Sequence, residues 1–252
     1  MRRACASKKV VKKAILITGA ATRIGSHIAK GLAQDGWSVI IHYNRSEEKA
    51  ETLVETISKT GGTAHAICAN LAVPVELETL IERAQSMTSC PITALVNNAS
   101  TFDDDRADNF TRANFDFHTN INLYAPIKLS QDFAKLRGTE TGAIINIIDQ
   151  RVLTPTPEYF TYRISKVALF EATRTLAQNL APTIRVNAIG PGPTLQNKNQ
   201  TTDEFEFEKN STLLKIGSPP SSIVQGVRYL LDAQAVTGQM IVIDGGQHLS
   251  WA

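Results

Sequence analysis

The chain has 252 residues, of which 42% are hydrophobic and 20% are charged, and its formal net charge is +2. This composition is typical of a soluble globular protein and excludes a disordered chain. Much of the small positive excess lies in the first thirteen residues, MRRACASKKVVKK, so we expect no basic face that would bind nucleic acid. We expect residues 1–13 to form a solvated basic tail and residues 14–252 to form a single domain.

Short apolar runs rich in β-formers alternate with longer helical patterns from residue 14 onward. Strands are predicted at 14–18, 37–43, 63–68, 94–97, 143–149, 184–189 and 240–243. Helices are predicted at 24–35, 47–59, 75–87, 115–137, 159–180 and 220–231. The alternation predicts βαβ units that build one doubly wound, seven-stranded parallel sheet flanked by helices. The polar and acidic segment 194–215 is expected to form either a mobile flap over a substrate or an ordinary surface loop.

The cysteines and histidines give no sign of a disulfide framework or a metal site. Cys5, Cys68 and Cys90 show neither paired spacing nor a C-x-x-C motif, and the five histidines are scattered without H-x-x-x-H. This pattern favours a reducing cytoplasm and predicts no bound metal. Because no apolar run approaches the length of a membrane span, no membrane association is expected.

A glycine-containing turn, TGAATRIG at 18–25, directly follows the first predicted strand. Gly19 permits the tight turn that brings backbone amides toward a pyrophosphate, and Gly25 lets the next helix pack close to the sheet. The helix N-terminus offers unpaired N–H groups and its positive dipole end to phosphates. The turn predicts a Rossmann-type dinucleotide site, although Arg23 stands where a middle glycine is usual.

The second predicted strand ends in HYNRS at 42–46, with no acidic residue to bind a ribose 2′-hydroxyl. Arg45, Ser46 and Arg23 are donors suited to a 2′-phosphate, so NADPH is favoured over NADH. The alternative is that Arg45 only opens a solvated helix that Ser46 caps.

Tyr162 and Lys166 stand four residues apart in YRISK on a predicted helix, so both side chains share one face. An ammonium about 4–5 Å from a phenol would lower the phenol pKa by about two to three units, which would let Tyr162 exchange a proton near neutral pH. Asp149 ends an apolar run thirteen residues before Tyr162. The alternative is an ordinary amphipathic helix, because Y-x-x-x-K is common by chance.

Six motifs in this order resemble the short-chain dehydrogenase/reductase family, and the resemblance covers nearly everything after Lys13. They are TGAATRIG (18–25), NNAS (97–100), Asn122, the Tyr162–Lys166 pair, PGPT (191–194) and VTGQMIVIDGG (236–246). The resemblance implies that Tyr162 donates a proton, that Lys166 binds the nicotinamide ribose and lowers the tyrosine pKa, and that Asn122 holds a relay water. Asn70 stands where the family commonly has the aspartate that contacts adenine.

The resemblance also implies a set of cofactor contacts and an assembly. The expected NADPH contacts are Thr18, Gly19, Arg23, Ile24, Gly25, Tyr43, Asn44, Arg45, Ser46, Asn70, Leu71, Asn98, Ala99, Ser100, Tyr162, Lys166, Pro191, Gly192 and Thr194. A homotetramer is expected, formed through the predicted helices 115–137 and 159–180 and a C-terminal segment that includes Trp251.

Asp149 departs from the usual family pattern, in which a serine hydroxyl stabilises an oxyanion. A carboxylate would repel an oxyanion but would favour a protonatable ring nitrogen, which points to reduction of a C=N bond. The chain looks most similar to the pteridine reductases and the related dihydromonapterin or dihydrofolate reductases, which also have an arginine in the glycine motif and HYxRS. Their phenylalanine after NNAS is matched by Phe102, and the resemblance implies that Ser100, Phe102, Asp149 and Tyr162 contact the substrate. The alternatives are that Phe102 is a loop anchor and that Asp149 pairs with Arg151.

We therefore expect an NADPH-dependent oxidoreductase that transfers hydride to a C=N bond of a dihydropterin or related folate. One alternative is an NADPH-dependent carbonyl or imine reductase that acts on another small metabolite. The other is a non-catalytic NADPH-binding protein.

Overall fold

A sheet of seven parallel strands lies at the centre of the computed structural model, which describes residues 13–197 and 200–250. The strands are β1 (Ala14–Ile17), β2 (Ser38–Tyr43), β3 (Thr63–Cys68), β4 (Ile92–Asn97), β5 (Gly142–Ile147), β6 (Ile184–Pro191) and β7 (Met240–Ile243). Their order in the sheet is β3-β2-β1-β4-β5-β6-β7. The predicted fold class is confirmed, and each strand bound lies within two residues of its prediction. Most of the expected tail and Trp251 lie outside the described residues.

The described residues form nine α-helices, most of which cover the two faces of this sheet. They are α1 (Arg23–Gln34), α2 (Glu47–Lys59), α3 (Pro74–Glu78), α4 (Leu80–Ser86), α5 (Arg112–Thr119), α6 (Ala125–Arg137), α7 (Phe160–Leu180), α8 (Thr202–Ser211) and α9 (Pro220–Asp232). A π-helix (Asn120–Tyr124) joins α5 to α6, and short 3-10 helices span Gln150–Val152 and Gln247–Leu249. In the part of the chain that the structure describes, no helix has both the length and the apolar character needed to cross a bilayer.

The core consists of two apolar layers, one on each face of the sheet. Ile15 and Ile17 of β1 belong to one buried cluster, whereas Leu16, between them, belongs to the other. Successive side chains of a strand point to opposite faces, so a central strand covered by helices on both sides is apolar throughout. All four residues of β1 are buried.

Two predicted helices are divided in the structure. The predicted helix 75–87 breaks at Thr79, whose hydroxyl donates to the carbonyl of Val75 at 2.8 Å and so competes with the backbone pattern. The predicted helix 115–137 contains the π-helical turn, and Pro126 follows in the first turn of α6. Proline has no N–H, which suits the start of a new helix better than the interior of a long one.

The segment 194–215 contains helix α8, which is absent from the predicted helices. Its N-terminus is a capping box: the Thr201 hydroxyl accepts from the Glu204 N–H at 3.2 Å, and the Glu204 carboxylate accepts from the Thr201 N–H at 2.7 Å. No residue of α8 is buried. The helix was missed because an apolar stripe, the usual helix signal, is lacking.

The order of the strands reverses at the centre of the sheet, because β1 pairs with both β2 and β4. In parallel sheets of this type a crevice opens outside the carboxyl ends of the strands at such a reversal. The loops after β1, β4 and β5 meet there, and they carry the motifs that the sequence analysis singled out.

Candidate active site

A cavity of about 850 Å³ opens at the carboxyl ends of the strands. Of the expected site residues, all but Thr18 and Asn122 line it. The sequence motifs are far apart along the chain, so their meeting in one cavity is a property of the fold. Among the described residues, no group of three or more His, Cys, Asp and Glu side chains could hold a metal ion.

The turn after β1 has the close backbone packing that a dinucleotide site requires. Gly19 has φ +60°, and a Cβ there would lie 2.9 Å from Cα of Ala99. A Cβ on Gly25 would lie 2.5 Å from the carbonyl oxygen of Gly19. The turn therefore depends on glycine at both positions, and its backbone fits the approach of a pyrophosphate.

Thr18 and Asn98 join the ends of β1 and β4. The Thr18 hydroxyl accepts from the N–H groups of Asn98 at 2.9 Å and Ala99 at 3.0 Å. The Asn98 amide donates to the carbonyls of Thr18 at 2.8 Å and Gly19 at 3.1 Å. Thr18 therefore holds the cavity wall from behind instead of facing the cavity.

His42 supports the same turn, a role that the sequence analysis did not assign. Its Nδ1 accepts from the Gly19 N–H at 3.0 Å, so Nε2 carries the proton and donates to the Ala69 carbonyl at 3.0 Å. Burial lowers the pKa of His42 to about 4, which keeps the ring neutral and Nδ1 able to accept. The sequence feature that could have revealed this role is the presence of a histidine within an otherwise apolar predicted strand.

The end of β2 presents groups suited to a phosphate. Arg45 is exposed and forms no ion pair with a described residue, and Ser46 occupies the N-cap of α2 without a capping hydrogen bond from its side chain. The alternative role of Ser46 as a capping side chain is therefore not seen. The Arg23 guanidinium is engaged elsewhere, because it donates to the carbonyls of Leu195 at 3.1 Å and Gln196 at 2.8 Å.

The Tyr162 hydroxyl donates to Oδ2 of Asp149 at 2.8 Å, so the carboxyl group is turned toward the phenol inside the cavity. The other carboxylate oxygen accepts from the Arg151 N–H at 2.8 Å. Lys166 is buried, and its Nζ donates to the Ile147 carbonyl at 3.0 Å. Since Asp149 forms no ion pair with a described residue, the alternative of a salt bridge to Arg151 is wrong.

The predicted lowering of the Tyr162 pKa is also wrong. Burial first, and the Asp149 carboxylate second, raise the pKa of Tyr162 well above 10.0. Burial also lowers the pKa of Lys166 to about 8. The prediction counted only the lysine charge, whereas the phenol also loses water and lies against a carboxylate. Tyr162 therefore keeps its proton at neutral pH.

Asn122 is buried in the π-helix and braces the loop that carries Phe102. Its side-chain oxygen accepts from the Thr101 N–H at 2.8 Å and the Ser100 hydroxyl at 3.1 Å. Its amide nitrogen donates to the Thr101 carbonyl at 3.0 Å and to the Ser165 hydroxyl at 3.1 Å. Both donors and both acceptor positions of the side chain are used, so this side chain does not hold the expected relay water.

Phe102 lines the cavity beside Tyr162. It stacks on Tyr159 with ring centroids 4.2 Å apart and an interplanar angle of 18°, and it lies nearly perpendicular to the Tyr162 ring with centroids 4.7 Å apart. Phe102 thus lines the cavity, as expected, and is also anchored by packing. This contact of Tyr159 was not predicted from the sequence. The backbone of Tyr159 has φ +54°, in the left-handed region, and no sequence pattern indicates that a tyrosine will adopt it.

Comparison with known proteins agrees with this geometry. The family model of the short chain dehydrogenases matches residues 13–206. A FolM alternative dihydrofolate reductase 1 from Brucella suis, solved in complex with NADP, is 41% identical with a TM-score of 0.93, covering 96% of this chain and 98% of that chain.

Two curated relatives are similar along almost their whole length. A 3-oxoacyl-acyl-carrier-protein reductase FabG from Staphylococcus epidermidis is 30% identical over 95% of this chain and 100% of the relative. A dihydromonapterin reductase from Enterobacter sp. is 28% identical over 95% of this chain and 98% of the relative. The chain therefore belongs to the short-chain dehydrogenase/reductase family of oxidoreductases.

Proposed function

We propose that this oxidoreductase uses NADPH to reduce a C=N bond in the ring of a dihydropterin, either a free pterin or a folate. The observation that carries the proposal is the carboxylate of Asp149 in the cavity, hydrogen-bonded by the Tyr162 phenol at 2.8 Å. Similarity to proteins named as dihydrofolate and dihydromonapterin reductases supports the substrate class.

NADP(H) is the cofactor, and the residues of the cavity fit it. The glycine turn would receive the pyrophosphate, Arg45 and Ser46 would bind the 2′-phosphate, and Lys166 would contact the nicotinamide ribose. When bound, the reduced nicotinamide supplies a hydride to the ring carbon.

The chain itself supplies the proton. The proton on Tyr162 passes along its hydrogen bond to the Asp149 carboxylate, and Asp149 then passes a proton to the ring nitrogen next to the reduced carbon. The high pKa of Tyr162 keeps this proton in place until the nitrogen becomes basic. The buried Lys166 ammonium stabilises the phenolate that is left.

The Tyr162–Asp149 pair disfavours a ketone as the substrate. A carbonyl oxygen that gains negative charge next to Asp149 would face a carboxylate where most family members place a hydroxyl donor. At about 4 Å and an effective dielectric near 20, the repulsion would be about 4 kcal/mol.

Two substitutions test the proposal. Asp149→Ser and Tyr162→Phe are each expected to lower kcat for a dihydropterin by at least about 100-fold, because each removes one step of proton delivery. The measurement follows NADPH oxidation with a panel of dihydropterins, quinones and ketones, and NADPH binding is titrated separately and expected to survive. Full turnover of the dihydropterin by either variant would contradict the proposal, as would wild-type activity on ketones alone.

We also propose that the chain assembles into a closed homotetramer. Tyr124 on the π-helix is a large side chain that is 51% exposed and does not line the cavity. Its exposure on the element that packs against α6 and α7 supports a partner surface there. Sedimentation velocity at micromolar concentration is expected to give a single tetrameric species, and a monomer would contradict this assembly.

A further inference from the structure

A polar cluster lies in the part of the cavity beside Asp149 and Phe102, and the proposed proton delivery does not use it. It consists of Arg151, Gln200, Glu208 and Gln247, all of which line the cavity. Glu208 is at its centre: Nη2 of Arg151 lies 3.8 Å from Oε1, the Gln247 amide donates to Oε1 at 3.2 Å, and the Gln200 amide donates to Oε2 at 2.9 Å.

Glu208 brings a fixed negative charge to the substrate side of the cavity. It stands on α8, a helix with no buried residue, so apolar packing does not place it. Its contacts with Arg151 and Gln247 turn this face of the helix toward the cavity. The Arg151–Glu208 separation is longer than a hydrogen bond, so the carboxylate is not neutralised by a tight bidentate pair.

Arg151 offers donors to a ligand. Its backbone is fixed, because its N–H donates to Asp149 and its carbonyl accepts from Arg163 Nε at 3.0 Å. Its guanidinium lies 5.1 Å from the ring centroid of Tyr159 and forms no hydrogen bond with any residue that the structure describes. A guanidinium has five N–H donors, so most of its capacity remains for a bound molecule.

Gln247 offers an acceptor. Its Oε1 is buried and has no hydrogen-bond partner among the described residues. An unpartnered buried carbonyl is unfavourable, and a ligand hydroxyl that donated to it would remove that penalty.

The side chains of Arg151, Glu208 and Gln247 are suited to bind a ligand hydroxyl better than a ligand carboxylate. A hydroxyl accepts from Arg151 and donates to Glu208 or Gln247, whereas a carboxylate only accepts and would be repelled by Glu208. We propose that Arg151, Glu208 and Gln247 select dihydropterins whose ring substituent is neutral and hydroxylated over those whose substituent ends in carboxylates, with Glu208 as the discriminating residue. This inference rests on the proposed function, because Asp149 and Tyr162 must first place the ring.

The test compares kcat/KM for a dihydropterin with a short polyhydroxylated side chain and for dihydrofolate, using the full chain with NADPH. The wild type is expected to prefer the hydroxylated substrate by at least tenfold. Glu208→Gln keeps the shape but removes the charge, so it is expected to raise kcat/KM for dihydrofolate by about tenfold, mainly through KM, with less than a threefold change for the hydroxylated substrate.

A matched control is available on the same helix. Glu206→Gln makes the same chemical change at an exposed side chain that pairs with Lys209 at 2.8 Å, and it is expected to leave both substrates within twofold of the wild type. Arg151→Gln should act in the opposite direction to Glu208→Gln. The glutamine amide can still donate to the ligand hydroxyl, whereas the charge of Glu208 is then uncompensated, so the preference for the hydroxylated substrate should grow. Loosening of α8 alone would change both substrates equally in either variant.

The outcomes separate the two proposals. If the wild type turns over neither substrate, the proposed function is wrong and the inference falls with it. If the wild type turns over both with similar kcat/KM, or if Glu208→Gln leaves their ratio unchanged, the inference is overturned while the proposed function stands.

Discussion

At the scale of single residues, the proposed reactive centre is a protonated phenol that donates to a carboxylate. Tyr162 and Asp149 are 2.8 Å apart, and the Lys166 ammonium donates to a backbone carbonyl close by. The proton therefore starts on Tyr162, and both Tyr162 and Asp149 line the cavity. This arrangement reverses the view that the lysine turns Tyr162 into a phenolate before the reaction.

Lys166 should set the alkaline limit of activity. Burial lowers its pKa to about 8, so the ammonium is present below that pH and is lost above it. We expect kcat/KM for NADPH, which reports the free enzyme, to fall about tenfold per pH unit above pH about 8. Lys166→Arg keeps the charge and should show no fall up to pH 9.5, although from a lower starting value. A wild-type profile that stays flat to pH 9.5 would contradict this role.

The sequence predicted which side chains meet in the cavity but not their electrostatics. Tyr162, Lys166 and Asp149 follow from motif spacing, whereas the raised pKa of Tyr162 depends on burial and on the direction of the Asp149 carboxyl. Arg151 was considered only as a partner of Asp149, and His42 was assigned no role. Their contacts with Glu208 and Gly19 join residues more than twenty positions apart, and no local pattern records such contacts.

At the scale of elements, helix α8 depends on its N-terminus and on polar contacts. It has no buried residue, and its capping box is formed by Thr201 and Glu204. T-x-x-E at 201–204 is a helix-start pattern, but it is not followed by an apolar stripe, and no helix was predicted there. The regular strands and the amphipathic helices were predictable because they have the apolar periodicity that α8 lacks, and this periodicity marks the residues that pack in the core.

Removing the cap should loosen this helix without unfolding the protein. Thr201→Ala is expected to destabilise α8 by about 1 kcal/mol, because the Glu204 N–H loses its acceptor. Backbone amides of 202–211 should then exchange with deuterium about five times faster, while the melting temperature of the whole protein stays within a few degrees. Thr202→Ala, one position further along, is the control and should leave exchange unchanged. Equal exchange in the two variants would show that the cap does not hold α8.

At the scale of the whole molecule, stability and the glycine turn after β1 are linked through His42. The fold forces a neutral imidazole into the core beside Gly19, and the ring costs free energy if it must take up a proton there. The overall fold was predictable because each βα unit has its own apolar pattern. The protonation state of the buried His42 was not predictable from the sequence, because it depends on the groups that pack around the ring.

Acid should therefore destabilise the protein in a defined range of pH. The pKa of His42 is about 4 in the folded chain and near 6.5 when unfolded, so the unfolded state binds the extra proton. The stability from the neutral ring is complete above pH about 6.5 and is lost as the pH falls toward 4. The loss is up to about 3 kcal/mol, and His118, whose pKa burial also lowers, acts in the same direction.

Urea unfolding at pH 7 and at pH 4.5 measures this effect. His42→Asn keeps an acceptor for the Gly19 N–H but cannot take up a proton, so it should be less stable than the wild type at pH 7 and lose less stability on acidification. The same acid-induced loss in both proteins would mean that His42 does not carry it.

The measurement that tests the central claim most directly is a crystal structure of the chain with NADP+ and a dihydropterin bound. We expect a ring nitrogen within about 2.6–3.2 Å of the Asp149 carboxylate, with the adjacent ring carbon facing the nicotinamide. A ring bound with no nitrogen near Asp149, or a carboxylate turned away from the ring, would contradict proton delivery by the Tyr162–Asp149 pair.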